Sequence, residues 1–187
     1  MPVRIAPLQP PYSPAVADTL RRLMGGADAE PLALFRTIAH HEALLDRFRA
    51  TGSTLLSFGK LAADERETLI QRTTARCGAS YEWGVHAALF APALGLGEEW
   101  LEATWRGEGD DPAFSSRQRV LVRLADELHD GGQVSDALWA ELEAGWTSEQ
   151  IVEAVCVAGF YHLVSFLCGA LRVDPEPWAV APPGGAR

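Results

Sequence analysis

Glu82 and His86 stand four residues apart in a stretch with helical spacing, so their side chains share one helix face. A carboxylate beside an imidazole raises the histidine pKa and orients the ring, giving a general acid or base that works near neutral pH. On the helix predicted to precede this one, Glu67 shares a stripe with Gln71 and Thr74, roughly opposite Arg76 and apart from the apolar Leu69 stripe. The turn at Cys77-Gly78 is short enough to fold the two helices into an antiparallel pair. Glu67 is then expected to face His86.

Each of these residues also has a plainer reading. Glu67 stands three residues after Asp64 and suits a capping interaction at its helix start. A Glu82/His86 pair on a solvated face would be worth only a few tenths of a kcal/mol. The same spacing suits a metal pair, but two ligands without a third make a poor site, so no metal is expected. Cys77 lies at a helix C-terminus, away from the positive dipole end that would depress its pKa, and reads as a small buried thiol. Tyr161 and His162 interrupt a long apolar helix and could line the same cavity; a lone histidine there reads first as a hydrogen-bonded core residue. His40 and His41 are adjacent and point different ways, so at most one could join a site.

The elements that must position these groups are helical throughout. Residues 1–14 carry five prolines and form an extended arm. Val16, Leu20 and Leu23 mark a first helix stopped by Gly25-Gly26. Pro31 to about Phe58 holds one or two helices with a break near His40-His41. Asp64 to Cys77 is a helix ended by Gly78, and the next starts near Ser80 as N-cap and runs to Pro92. A short element at Glu98–Trp105 precedes the loop from Gly107 to Pro112. Beyond it come Arg117–His129, a short helix capped by Ser135, and a long apolar helix opened by the capping-box pair Thr147 and Gln150. No sustained period-2 alternation is present, so an all-α fold is expected: a single helical domain over residues 15–175, followed by a flexible tail at 176–187.

With 187 residues, 48% of them hydrophobic, the chain can bury one core without staples. A formal charge of −9 and scattered basic residues exclude a nucleic-acid partner from the expected classes. Ile151 to Leu171 has the length of a membrane span, but Glu153 and His162 within it are expensive in lipid, so burial between helices or subunits is expected instead. Cys77, Cys156 and Cys168 form neither an even framework nor a C-x-x-C pair, which suits reduced thiols in the cytoplasm, and the proline-rich start lacks the apolar core of a signal peptide.

Two segments carry a resemblance to a known family. Arg66-Glu67-Thr68-Leu69-Ile70, followed by Cys77-Gly-Ala-Ser-Tyr81-Glu82-Trp83-Gly-Val-His86, is similar to the R-E-L run and Y-E-W-x-x-H signature of the carboxymuconolactone decarboxylase family, within the alkylhydroperoxidase-D-like superfamily. The later stretches Ala125–His129, Gly132–Ser135 and Phe160–Val164 resemble the second region of its longer members. The resemblance implies an alkylhydroperoxidase-D-like helical bundle and assembly into a homo-oligomer: a dimer, trimer or hexamer. In the peroxidase branch a glutamate is followed by C-x-x-C and then a histidine. Carried onto this chain the ends fall on Glu67 and His86, while the two thiol positions hold Ala79 and Glu82. The redox centre is absent at those positions. What remains resembles the decarboxylase branch, whose chemistry implies no cofactor: a lyase or isomerase moving protons on a small lactone or enolisable carboxylic acid. His86 is then the principal acid/base, Glu67 orients it or shares its proton, and Glu82 tunes the pair. Tyr81, Trp83, Cys77, Tyr161 and His162 are the expected pocket residues. The alternatives are a thiol-dependent antioxidant using Cys77 and a catalytically silent helical scaffold.

Overall fold

The computed structural model describes residues 2–27 and 29–184, in which there are nine α-helices and no strand. They are α1 (Pro14–Leu23), α2 (Ala33–Ile38), α3 (Glu42–Ser57), α4 (Ala63–Arg76), α5 (Ser80–Leu89), α6 (Glu98–Arg106), α7 (Ser116–Gly131), α8 (Asp136–Gly145) and α9 (Ser148–Leu171). The all-α expectation is met, and the boundaries follow local chemistry. Ser13 caps α1, and Ser135 caps α8. α7 and α9 both open with capping boxes, Ser115/Gln118 and Thr147/Gln150, in which side chain and backbone satisfy each other's orphan groups. The break expected near His40-His41 separates α2 from α3, and His41 Nδ1 accepts from Leu44 N to cap the new helix.

α4 is the helix on which the others converge: α5, α6, α7 and α9 all pack against it. Its residues Glu65 and Glu67–Thr74 are all buried, so the polar stripe carrying Glu67, Gln71 and Thr74 faces protein. Burial of so many polar groups demands partners. Arg72 forks onto Asp126 of α7, with Nε at 2.6 Å from Oδ1 and Nη2 at 2.8 Å from Oδ2. Its Nη1 donates to the carbonyls of Thr104 and Gly107, tying in the end of α6. Glu65 binds Arg117, and it accepts from Trp146 Nε1 at 3.1 Å. The bidentate Arg72–Asp126 fork and these further charge-assisted contacts fix the register of α4 against its neighbours.

α9 buries Ile151, Ala154, Val157, Tyr161, Val164 and Cys168 against this core and leaves Val152, Val155, Leu163 and Phe166 exposed. It is long and apolar enough to cross a membrane, yet half of its most apolar window lies inside the protein.

The C-terminal stretch departs from the expected free tail. Glu176 Oε1 accepts from Ala33 N and from the Tyr81 hydroxyl, both at 2.6 Å, and Val180 N donates to Gly84 O at 3.1 Å. Residues 176–180 are thus strapped across α5 by specific hydrogen bonds that composition does not announce. Residues 185–187 of that expected tail lie outside the described residues.

Candidate active site

The turn between α4 and α5 builds the site. Gly78 takes φ of 63°, the left-handed region that glycine enters without a Cβ penalty, and Ala79 N donates to Thr74 O at 2.8 Å. The chain reverses within three residues, and α5 runs back along α4. Ala79, not the expected Ser80, is the N-cap of α5, with no side-chain hydrogen bond. Glu82 lies in the first turn of α5, where the positive end of the helix favours a carboxylate, and His86 in the last, where the negative end favours a cation.

His86 is held on both sides. Its Nδ1 lies 2.8 Å from Glu67 Oε2, and its Nε2 lies 3.4 Å from Glu82 Oε1 and 3.1 Å from the Tyr161 hydroxyl. The Phe90 ring stacks on the imidazole at 4.7 Å between centroids. Glu67, Glu82 and His86 are 1%, 7% and 3% exposed, so the trio is a buried ionic cluster and not a solvated helix pair. Nor does Glu67 cap its helix: the N-cap of α4 is Ala62, without a side-chain cap.

Burial alone would push the His86 pKa down. The charges of Glu67 and Glu82 and their hydrogen bonds outweigh it, and the pKa is pushed up to about 10. At neutral pH the ring is therefore an imidazolium. Nδ1–H donates to Glu67, and Nε2–H is directed at the Tyr161 oxygen and Glu82. The Tyr161 hydroxyl is held well above its ordinary pKa by burial and by the charges of Glu82 and Glu67, so it stays a neutral phenol. Glu82 Oε2 and Glu67 Oε1 are buried without a hydrogen-bond partner among the described residues, although Arg66 Nε stands 4.0 Å from Glu67 Oε1. The cluster thus pairs one cation with two carboxylates and keeps an open acceptor oxygen on each. Such a group can deliver a proton from His86 and receive one at a carboxylate.

The remaining expected residues divide. Tyr161 joins the cluster. Tyr81 and Trp83, adjacent to Glu82 on either side, are turned about 100° away from it around the helix. Tyr81 donates to Glu176 at 2.6 Å and accepts from Leu34 N at 3.1 Å; Trp83 Nε1 donates to Thr104 Oγ1 at 3.1 Å. Their polar atoms anchor the tail and α6 and do not reach His86. Cys77 lies ten residues from Glu67, about 15 Å along α4, and its Sγ is 3.8 Å from His129 Nδ1. His162 lies with these two. Cys77 and His162 therefore form a second cluster away from the first. Phe90 and His129 were not singled out from sequence. Phe90 follows His86 by four residues, a spacing that could have flagged it; His129 carries no local signal.

No family model matches the chain, and no curated protein does. Solved structures do. A peroxidase-related protein from Silicibacter sp. TM1040 superimposes with a TM-score of 0.80 at 18% identity, covering 94% of this chain and 93% of that one. A peroxidase-related protein from Ralstonia eutropha JMP134, described as an alkylhydroperoxidase AhpD core, gives 0.75 at 19% identity over 92% and 93%. The debrominase Bmp8, as a cysteine-to-alanine variant in complex with 2,3,4-tribromopyrrole, gives 0.77 at 14% identity over 95% and 94%. At these identities the likeness establishes the architecture, and it agrees with the resemblance drawn from the Glu67–His86 segment: this chain has the alkylhydroperoxidase-D-like helical fold.

Proposed function

We propose that this protein is a cofactor-independent lyase or isomerase that moves protons at a carbon beside a carbonyl, on a small lactone or enolisable carboxylic acid. The observation that carries this reading is the buried His86 ring held between the carboxyl groups of Glu67 and Glu82. A ring kept protonated through the neutral range is a resting proton donor. When a substrate C–H or C–CO₂⁻ bond breaks, its electron pair passes to the neighbouring carbonyl, and His86 supplies a proton to the resulting enolate. In an isomerisation the proton lost from carbon goes to the open oxygen of Glu82 and returns to His86; in a decarboxylation CO₂ leaves and His86 recovers its proton from solvent. Glu67 orients the ring and stabilises its charge. General acid–base catalysis of this kind supplies about 10²–10⁴-fold, and burial and orientation of the substrate supply the rest.

The ring-sized ligand of the Bmp8 variant supports a small cyclic substrate in this fold. The thiol-antioxidant alternative is not favoured by geometry, since Cys77 stands about 15 Å along α4 from Glu67 and Glu82 occupies a thiol position of the peroxidase pattern. We also propose a homo-oligomer: the exposed stripe Val152, Val155, Leu163 and Phe166 on α9 is the kind of apolar face that subunits bury. All three cysteines are free thiols, which suits a reducing, cytoplasmic setting.

The test is turnover of small lactones, β-keto acids and hydroxybenzoate-derived acids by wild type and His86→Gln. Conversion by wild type, lost in the variant with ligand binding retained, is the expected result. Undiminished conversion by His86→Gln would overturn the assignment.

A further inference from the structure

Away from His86, α4, α7 and α9 converge on a second cluster. Cys77 closes α4, His129 lies in the last turn of α7, and His162 is on α9, one residue past Tyr161 and so on the neighbouring face. His129 Nδ1 stands 3.1 Å from His162 Nε2 and 3.8 Å from Cys77 Sγ, and the three ligand atoms lie within 4.8 Å of one another. All three residues are half-buried, so the cluster is sheltered without being sealed. It is the one such grouping of potential ligands among the described residues.

We propose that Cys77, His129 and His162 form a binding site for a divalent transition-metal ion of the zinc class. The spacing fits such an ion. Zn–N bonds of about 2.0–2.1 Å and a Zn–S bond of about 2.3 Å set ligand atoms roughly 3.3–3.6 Å apart along the edges of a tetrahedron. The two closest separations here bracket that range. The tautomer of His162 is also the one a ligand needs. Its Nδ1 lies 2.8 Å from Ala158 O, and a carbonyl only accepts, so Nδ1 carries the hydrogen and Nε2 presents a lone pair toward His129. A carbonyl holding the far nitrogen is the outer-shell arrangement that fixes metal-bound histidines. The donor set of one thiolate and two imidazoles matches borderline-soft cations and suits the hard ions magnesium and calcium poorly.

In the ion-free cluster His129 Nδ1–H donates to His162 Nε2. When a cation enters, that proton moves to His129 Nε2, which frees Nδ1 as a ligand, and the Cys77 thiol releases its proton to solvent. The balance is one cation bound and one proton released, with no redox change. Three protein ligands leave a fourth position for water or a small anionic molecule. From sequence no metal was expected, because no third ligand was visible for Glu82 and His86. The ligands of this site are brought together by packing of α4, α7 and α9, across 52 and 33 residues of chain.

The test is titration of reduced, metal-free, full-length protein with Co²⁺, followed by Zn²⁺. The expected result is a thiolate-to-cobalt charge-transfer band with d–d bands of tetrahedral intensity, saturating at one equivalent and bleached by an equivalent of Zn²⁺. Cys77→Ser should abolish the charge-transfer band. His162→Ala should weaken binding by more than the roughly 10–100-fold that loss of an outer-shell partner costs. Wild-type protein without a thiolate band would overturn the proposal with no variant needed. So would an unchanged band in Cys77→Ser, which would point to the exposed Cys156. His86→Gln should titrate like wild type, which separates this site from the proton-transfer cluster.

Discussion

Glu67 and His86, nineteen residues apart in the chain, meet at 2.8 Å because α5 folds back along α4. Glu67 supplies the largest of the effects that raise the His86 pKa, acting against the burial of the ring. Glu67→Gln keeps an acceptor for Nδ1–H but removes the charge. The expected outcome is a rate loss of about tenfold to hundredfold, part of the 10²–10⁴ available to acid–base catalysis. The upper limb of the pH–rate profile should move from near 10 toward neutrality. A rate loss with an unmoved limb would mean that Glu67 serves packing alone.

The same shift has a consequence for stability. The folded-state pKa of His86 is raised from 6.5 to about 10, so the native protein binds a proton more tightly than the unfolded chain does. The resulting stabilisation is fully present below about 6.5 and is lost as pH rises toward 10. Denaturant midpoints should fall across that window, with a slope of at most about 1.4 kcal/mol per pH unit from this group. His86→Gln should flatten the decline. An equal decline in both proteins would assign it to other groups.

How far the chain declares this arrangement depends on the range of the interactions involved. Caps and breaks are local, and Thr147/Gln150, Ser135 and His40-His41 marked their helix ends in sequence. The Glu67–His86 contact was also legible, because a tight turn joins two adjacent helices and leaves one way to fold back. Ser80 was misread as a cap because the Gly78 turn closes on Ala79 through backbone hydrogen bonds, which need no polar side chain. The partners of Tyr81 and Trp83 were not legible, because Glu176 and Thr104 reach them from distant parts of the chain. The meeting of His129 with His162 was hidden, since the angle at which α7 and α9 cross is set by the whole core.

Tyr161 places its hydroxyl 3.1 Å from His86 Nε2, across from Glu82. Tyr161→Phe removes that oxygen and keeps the ring that packs edge-on against the imidazole. A hydrogen bond to a charged group is worth about 1.5–3 kcal/mol. The variant should therefore melt several degrees lower, and its kcat should fall roughly tenfold to hundredfold because the phenol steadies the proton that His86 delivers. Loss of melting temperature at constant kcat would make it a packing residue.

Gly84 is where the C-terminal strap touches α5. A Cβ at this position would come within 2.3 Å of Val180 O, a backbone atom that cannot swing aside as a flexible side chain can. Gly84→Ala should therefore displace residues 179–180 and break the hydrogen bond from Val180 N to Gly84 O. Overpacking of this kind costs about 1–3 kcal/mol if the rest of the fold resists it. The strap is the easier part to move, since its other tie is the Glu176 carboxylate, a few residues back along the chain. Limited proteolysis should then cut the variant within the C-terminal stretch well before the helical body, with the global melting temperature lowered by only a few degrees. Resistance equal to wild type would mean that α5 itself shifts, and in that case the Glu82–His86 geometry and the reaction rate should change with it.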